Sequence, residues 1–261
     1  DVVLDKDGSA MLNPVGLVDA GRISQDTGHS FEATKDAASG VAARYYMNRN
    51  FFIADPDAFT VSTQTVDDQS WHGGQRPLTL DEAQVSIALS AVAGGMFEIG
   101  DDLPTLGASP ERLSLVKNAD LLDMAKLGRA ATPVDLMTYA PGDQQPSVFL
   151  LKESGRQAIL TVFNWTEKPL ARAIDLAQLG LKSANYKTVD VLGNQGCCDV
   201  SSGAIRLIQK PHSVRMIKFV DNSVPVVPPS FEVQSPGSGA AGKTLTFKAQ
   251  AASVQAPALA F

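Results

Sequence analysis

Carboxylates recur in this chain where short apolar runs end. Gly21-Arg22-Ile23-Ser24-Gln25-Asp26-Thr27-Gly28-His29 closes one such run, Phe51-Phe52-Ile53-Ala54-Asp55-Pro56-Asp57 closes a second, and Gly94-Gly95-Met96-Phe97-Glu98-Ile99-Gly100 runs into Asp101-Asp102-Leu103. Each run has the length and composition of a strand, followed by charged and turn-forming residues. Strand ends of this kind are where a β/α barrel gathers its chemistry. Several carboxylates brought to one rim suit acid–base work on a polar substrate, and a carbohydrate-active barrel is the expectation.

The intervening segments must hold these ends in place, and they have helical spacing. Over residues 30–50, Phe31, Ala38, Val41, Ala42, Tyr45 and Tyr46 supply an inward face, with Lys35, Asp36, Arg44 and Arg49 for solvent. Thr79-Leu80-Asp81-Glu82 has capping-box spacing, and the apolar run that follows should stop at Gly94-Gly95. Ser109-Pro110-Glu111 predicts a further helix lasting to about residue 127. Strands alternating with helices through right-handed crossovers are parallel, and their C-terminal ends share one rim.

Leu12-Asn13-Pro14-Val15-Gly16-Leu17-Val18-Asp19-Ala20-Gly21-Arg22-Ile23-Ser24-Gln25-Asp26-Thr27-Gly28 resembles the sixth strand and following loop of the α-galactosidase clan, glycoside hydrolase families 27 and 36. The resemblance implies that Asp26 is the general acid/base and that Arg22 contacts the sugar. Asp55-Pro56-Asp57 resembles the clan's Asp-Pro-Asp element after strand seven, with Ala54 in place of the usual Asn. Ala58 stands where many members have a Met or Cys against the sugar ring. The stretch 95–103, with Glu111-Arg112, resembles the eighth strand and its helix. The likeness covers roughly residues 8–130 and implies a retaining α-galactosidase-like hydrolase. Hydrolysis of α-N-acetylgalactosaminides or β-L-arabinopyranosides, and a non-catalytic carbohydrate-binding protein, are the alternatives.

Glycoside cleavage needs an acid for the leaving oxygen and a carboxylate to trap the oxocarbenium-like centre. A guanidinium close to a carboxyl group favours its ionised form, so Arg22 is expected to point mainly at substrate hydroxyls, which its fork suits. Asp55 and Trp71 are the remaining substrate-binding candidates. The bland reading of Asp55 is a rigid turn, and that of Trp71 is a loop anchor. Asp57 is read as capping backbone amides, and Asp101 and Asp102 as starting the turn into Pro104. The clan's nucleophile, an Asp within a Lys-x-Asp strand end, has no counterpart among Asp1, Asp5, Asp7 and Asp19. Asp5-Lys6-Asp7-Gly8 is read as a turn. The nucleophile is therefore expected upstream of residue 1, and the chain alone is expected to be an inactive fragment.

With 44% hydrophobic and 19% charged residues the chain can bury a core, and its net charge of -6 argues against a nucleic-acid partner. No segment approaches the roughly 20 apolar residues of a membrane span. His29, His72 and His212 are far apart in sequence and lack partners at metal-site spacing, so no metal and no cofactor are expected. Cys197 and Cys198 are adjacent, which strains any bridge between them. A sugar isomerase or phosphate-dependent aldolase is disfavoured by the lack of a Gly-rich phosphate loop or a cluster of metal ligands.

Beyond Thr132-Pro133 the texture becomes β-rich. Apolar runs at 148–151, 158–164, 171–176, 186–190, 204–207 and 214–219, separated by turn signals, predict an antiparallel sandwich. Asn164-Trp165-Thr166 matches a glycosylation sequon, a pattern common by chance. Val224-Pro225-Val226-Val227-Pro228-Pro229 reads as a stiff linker. The fold class is thus α/β plus all-β. By the resemblance, residues 1–132 are expected to be the C-terminal part of a (β/α)8 TIM barrel, with 133–220 a β-sandwich expected to fold as its own unit, 221–229 a linker, and 230–261 the start of an Ig-like or PKD-like module. Such appended modules accompany secreted polysaccharide-degrading enzymes, which points to a secreted or periplasmic setting and a galactoside-type carbohydrate as partner.

Overall fold

Three parallel strands begin the structure: β1 (Asp5–Lys6), β2 (Ala20–Arg22) and β3 (Ile53–Asp55), in the order β1-β2-β3. It is a computed structural model that describes residues 2–7, 12–64, 76–182, 185–193, 199–201, 203–226, 230–234, 239, 242, 244 and 248–252. Asp5 and Lys6 are strand residues paired with Ala20 and Gly21, not the turn their side chains suggest. The neighbouring strand overrides local turn propensity: the Asp19 and Ala20 amides donate to the Leu4 carbonyl, and the Asp19 carboxylate accepts the Leu4 amide at 2.9 Å.

β3 ends at Asp55 for a local reason. Pro56 has no amide hydrogen to continue a ladder, and Asp57 turns the chain with φ 75°. The expected third strand is accordingly interrupted. Residues 96–100 run beside β3 as an extended segment, with the Met96 amide on the Ala54 carbonyl (2.8 Å) and an isolated bridge between Phe59 and Ile99 further on.

Helix α1 (Phe31–Arg44) is capped by the Ser30 hydroxyl, and α2 (Leu80–Ala93) by a complete capping box between Thr79 and Glu82. Gly94 ends α2 with φ 67°, a conformation that glycine adopts freely. The helix expected over 109–127 is two helices, α4 (Pro110–Val116) and α5 (Ala119–Leu127), preceded by the short α3 (Leu103–Gly107). Asn118 makes the break. Its side-chain oxygen caps α5 through the Leu121 amide, and its amide nitrogen reaches the Val191 carbonyl at 2.6 Å. Asp102 caps α3 through Thr105, and Asp101 accepts the Val61 and Ser62 amides at 2.7 and 2.9 Å.

The remaining strands are β4 (Thr132–Pro133), β5 (Val148–Lys152), β6 (Gln157–Asn164), β7 (Leu170–Asp175), β8 (Tyr186–Asp190), β9 (Asp199–Ser201), β10 (Ala204–Gln209) and β11 (Ser213–Asp221). They make two antiparallel sheets, β4-β5-β6-β11-β8 and β7-β10-β9. Leu160, Val162, Ile217 and Phe219 of the first meet Ile205 and Leu207 of the second. The opposite face of the five-stranded sheet, with Phe149, Phe163 and Met216, joins the core containing α1 and α2. That explains why β6 lacks the alternation of a one-faced strand: from Ala158 onward every residue is buried. The hydrophobic core therefore crosses the 132/133 boundary. Asn164 is fully buried with its amide on the Lys168 and Lys210 carbonyls, so the sequon is closed to a glycan in this fold. β12 (Ser230–Gln234) and β13 (Lys248–Ala252) form a separate antiparallel pair. No helix among the described residues is long and apolar enough to cross a membrane.

Candidate active site

The parallel register places Arg22 directly opposite Asp55 at the C-terminal ends of β2 and β3. Asp55 is buried, and an isolated carboxylate there would be strongly disfavoured. Arg22 supplies the counter-charge, donating from Nε to Asp55 Oδ2 at 2.8 Å. The other Asp55 oxygen accepts the Asp57 amide at 2.7 Å, which closes the turn around Pro56. Asp55 thus has a defined structural role whatever else it touches.

The loop after β2 folds back over this pair. Arg22 Nη1 donates to Asp26 Oδ1 at 2.7 Å, and Arg22 Nη2 lies 3.3 Å from Asp57. Asp7 stands 4.0 Å from Nη1 on the other side. The expectation that Arg22 points mainly at substrate is corrected here, because the guanidinium is engaged by protein carboxylates on several edges. Its cause is the cross-strand register, which fixes the fork on Asp55 before the loop is built. Burial works against the Arg22 charge, but the Asp55 bond and the Asp55 and Asp57 charges outweigh it and hold the group firmly protonated.

Asp57 ties the two loops together. It accepts the Thr27 amide at 2.7 Å, one residue beyond Asp26, while Ser24 donates to the Pro56 carbonyl and Thr27 to the Ala58 carbonyl, each at 2.7 Å. Asp57 therefore fills the amide-capping role read from the sequence. Asp26 is left with a half-exposed side chain above a buried, rigid base. A carboxyl group presented this way can exchange protons with a ligand at the rim, and the groups behind it cannot follow.

Three more carboxylates belong to this neighbourhood and were not singled out by sequence reasoning. Asp7 is one. Asp5, on β1, has its pKa raised by burial first and then by the charge and hydrogen bond of Asp55. Glu98 is raised in the same way, by burial and then by Asp55, Asp5 and Asp57. The apolar run Val2-Val3-Leu4 ending in Asp5 was the signal for the first two, and a two-residue strand is too short for it to stand out. Trp71 lies outside the described residues, as do His72, Cys197 and Cys198.

No protein-family model matches the sequence, nor does any curated protein. Solved structures do match. A glycoside hydrolase family 27 β-L-arabinopyranosidase variant from Geobacillus stearothermophilus, in complex with arabinose, aligns with a TM-score of 0.65 at 19% identity, covering 86% of this chain and 51% of that one. α-Galactosidase I from Mortierella vinacea gives 0.59 at 15% identity, covering 79% and 54%. An isomaltodextranase from Arthrobacter globiformis, complexed with panose, gives 0.53 at 15%, covering 83% and 36%. The chain has the fold of the α-galactosidase clan. At these identities the likeness is one of fold, and the chain spans about half the length of the Geobacillus and Mortierella structures. Within the clan fold, the Arg22 cluster occupies the C-terminal ends of the parallel strands, where barrel enzymes assemble their sites.

Proposed function

We propose that this chain is the C-terminal part of a retaining glycoside hydrolase that releases terminal α-galactosyl units. Asp26 is the acid/base, Arg22 and Asp55 shape the sugar site, and Trp71 supplies a stacking surface. The observation that carries this reading is the half-exposed carboxyl group of Asp26, presented beside the C-terminal ends of β2 and β3 above the buried Asp55. In the first step Asp26 gives its proton to the leaving oxygen as the glycosidic bond breaks, and a second carboxylate takes the anomeric carbon. In the second step Asp26 removes a proton from water, which displaces that carboxylate. We place the second carboxylate in sequence preceding residue 1 and expect residues 1–261 alone to be inactive. A secreted or periplasmic setting accompanies this reading, with the β12–β13 pair as the start of an Ig-like or PKD-like module.

β-L-Arabinopyranoside hydrolysis is the second reading, favoured by the alignment with the Geobacillus enzyme. The two sugars share ring configuration and differ in the hydroxymethyl group, so paired aryl glycosides separate them.

The test replaces Asp26 by Asn in the full-length protein. Natural substrates with poor leaving groups should lose most of their turnover, since acid/base catalysis contributes ~10²- to 10⁴-fold. An aryl glycoside with a good leaving group should lose less in its first step, and added azide should release the accumulated covalent intermediate. Unchanged activity on the natural substrate, or equal losses without azide rescue, would remove Asp26 from this role.

A further inference from the structure

His212 sits in the turn between β10 and β11 with φ 50°, and its ring stacks on Phe31 with centroids 3.9 Å apart. Nδ1 lies 2.9 Å from Glu82 Oε1, and Nε2 lies 2.7 Å from Glu167 Oε1. A neutral imidazole has one N–H, and here two carboxylates face its two nitrogens. Glu82 has the stronger claim on it. Its carboxylate is buried and held by both Arg76 Nη atoms at 2.7 and 2.6 Å and by the Thr79 amide at 2.8 Å, so it cannot turn away. With the proton on Nδ1, the Nε2 lone pair confronts a Glu167 oxygen. Glu32, in the first turn of α1, completes a set of three ligand atoms within 4.8 Å of one another. Either a second ring proton or a cation must lie between Nε2 and these carboxylates.

We propose that His212 Nε2, Glu167 and Glu32 bind a divalent metal ion of the zinc type. One imidazole and two carboxylates are a donor set zinc accepts, with water filling the open position. A cavity of about 240 Å³ beside the set, bounded in part by Ser30, Phe31, Arg76 and Leu78, gives that water room. Glu82 stands behind the ring as the carboxylate that commonly orients a metal-bound imidazole. The ion would join α1 to the β6–β7 and β10–β11 turns, linking the helices to the sandwich. No local spacing points to this set, since Glu32, Glu167 and His212 are spread along most of the chain. The site is independent of the glycosidase reading.

The test is Zn²⁺ itself, titrated into the metal-stripped full-length protein by calorimetry, with thermal unfolding followed in zinc and in excess EDTA. One ion per chain and a higher Tm in zinc are expected, because a ligand bound only to the folded state stabilises it. Glu167→Gln and the Glu32→Gln/Glu167→Gln double variant should weaken binding by about tenfold or more and remove the Tm gain. Both side chains are largely exposed, so these variants should keep the native circular dichroism spectrum. Absence of saturable binding, or zinc binding that survives in the double variant, overturns the proposal. So does a Tm loss in Glu167→Gln that is the same in zinc and EDTA, which would mean that only a proton is shared there.

Discussion

Glu82 is a buried charge that four donors reach, and its protonation couples the fold to pH. Burial pushes its pKa up, but the hydrogen bonds from Arg76, Thr79 and His212 overcome that and hold it at about 2, against an ordinary value of 4.5. A depressed folded-state value means that the stabilisation is present above pH 4.5 and is lost as pH falls from there toward 2. The full span is at most about 3 kcal/mol, reduced by solvent around the exposed Arg76. Urea unfolding of wild type and Glu82→Gln across pH 2–7 should show a steep acid loss in the first and a flatter, lower curve in the second. Equal slopes would mean that another carboxylate dominates. Glu82 was legible as a capping residue because the signal lies within four residues, whereas His212 lies 130 positions away. Arg22, Asp26 and Asp55 were legible for the same local reason. The engagement of Arg22 by Asp55 was not, because it depends on which strand residues end up opposite each other.

At the scale of elements, the approach of residues 96–100 to β3 depends on a residue without a side chain. A Cβ on Gly95 would collide with the Ala54 carbonyl, which is backbone and cannot swing aside. Ala54 immediately precedes Asp55, so relief of the clash must displace the strand end that carries the Arg22 pair. Gly95→Ala should therefore destabilise the protein by about 1–3 kcal/mol or more and reduce activity in the full-length enzyme, read by Tm and by kcat/KM together. A neutral result would show that β3 has slack. Helix starts at Ser30 and Thr79 were readable because caps are short-range chemistry. The division between α4 and α5 escaped notice because Asn118 fits inside a helical pattern until its bond to Val191 is known. Trp165 entered the sequence reading only as the middle of a sequon, yet it is buried, stacked on Phe163 at 4.5 Å, and donates to the Pro146 carbonyl.

Across the whole molecule, one central helix is shared by two layers. α2 packs against α1, α4 and α5 on the barrel side and against β6 and β11 of the five-stranded sheet. Nearly all its residues are buried, including Gln84, Ser86 and Ser90, so it has no solvent face of its own. The sequence displayed both the helix and the later strands but not that they share a core, since amphipathic patterning vanishes in an element covered on every side. This arrangement bears on synthesis. Roughly 120 residues separate the end of α2 from the start of β11, and at about 5–20 residues per second the ribosome needs roughly 6–24 seconds to supply them. During that interval an apolar helix has emerged without its cover. Stalled nascent chains ending near residue 200 should be protease-sensitive throughout α2 and bound by holding chaperones, while chains extended past residue 260 should be protected. Protection at the shorter length would show that the helices close without the sheet, and the same late arrival of β11 makes the rate of translation through residues 94–212 a determinant of yield.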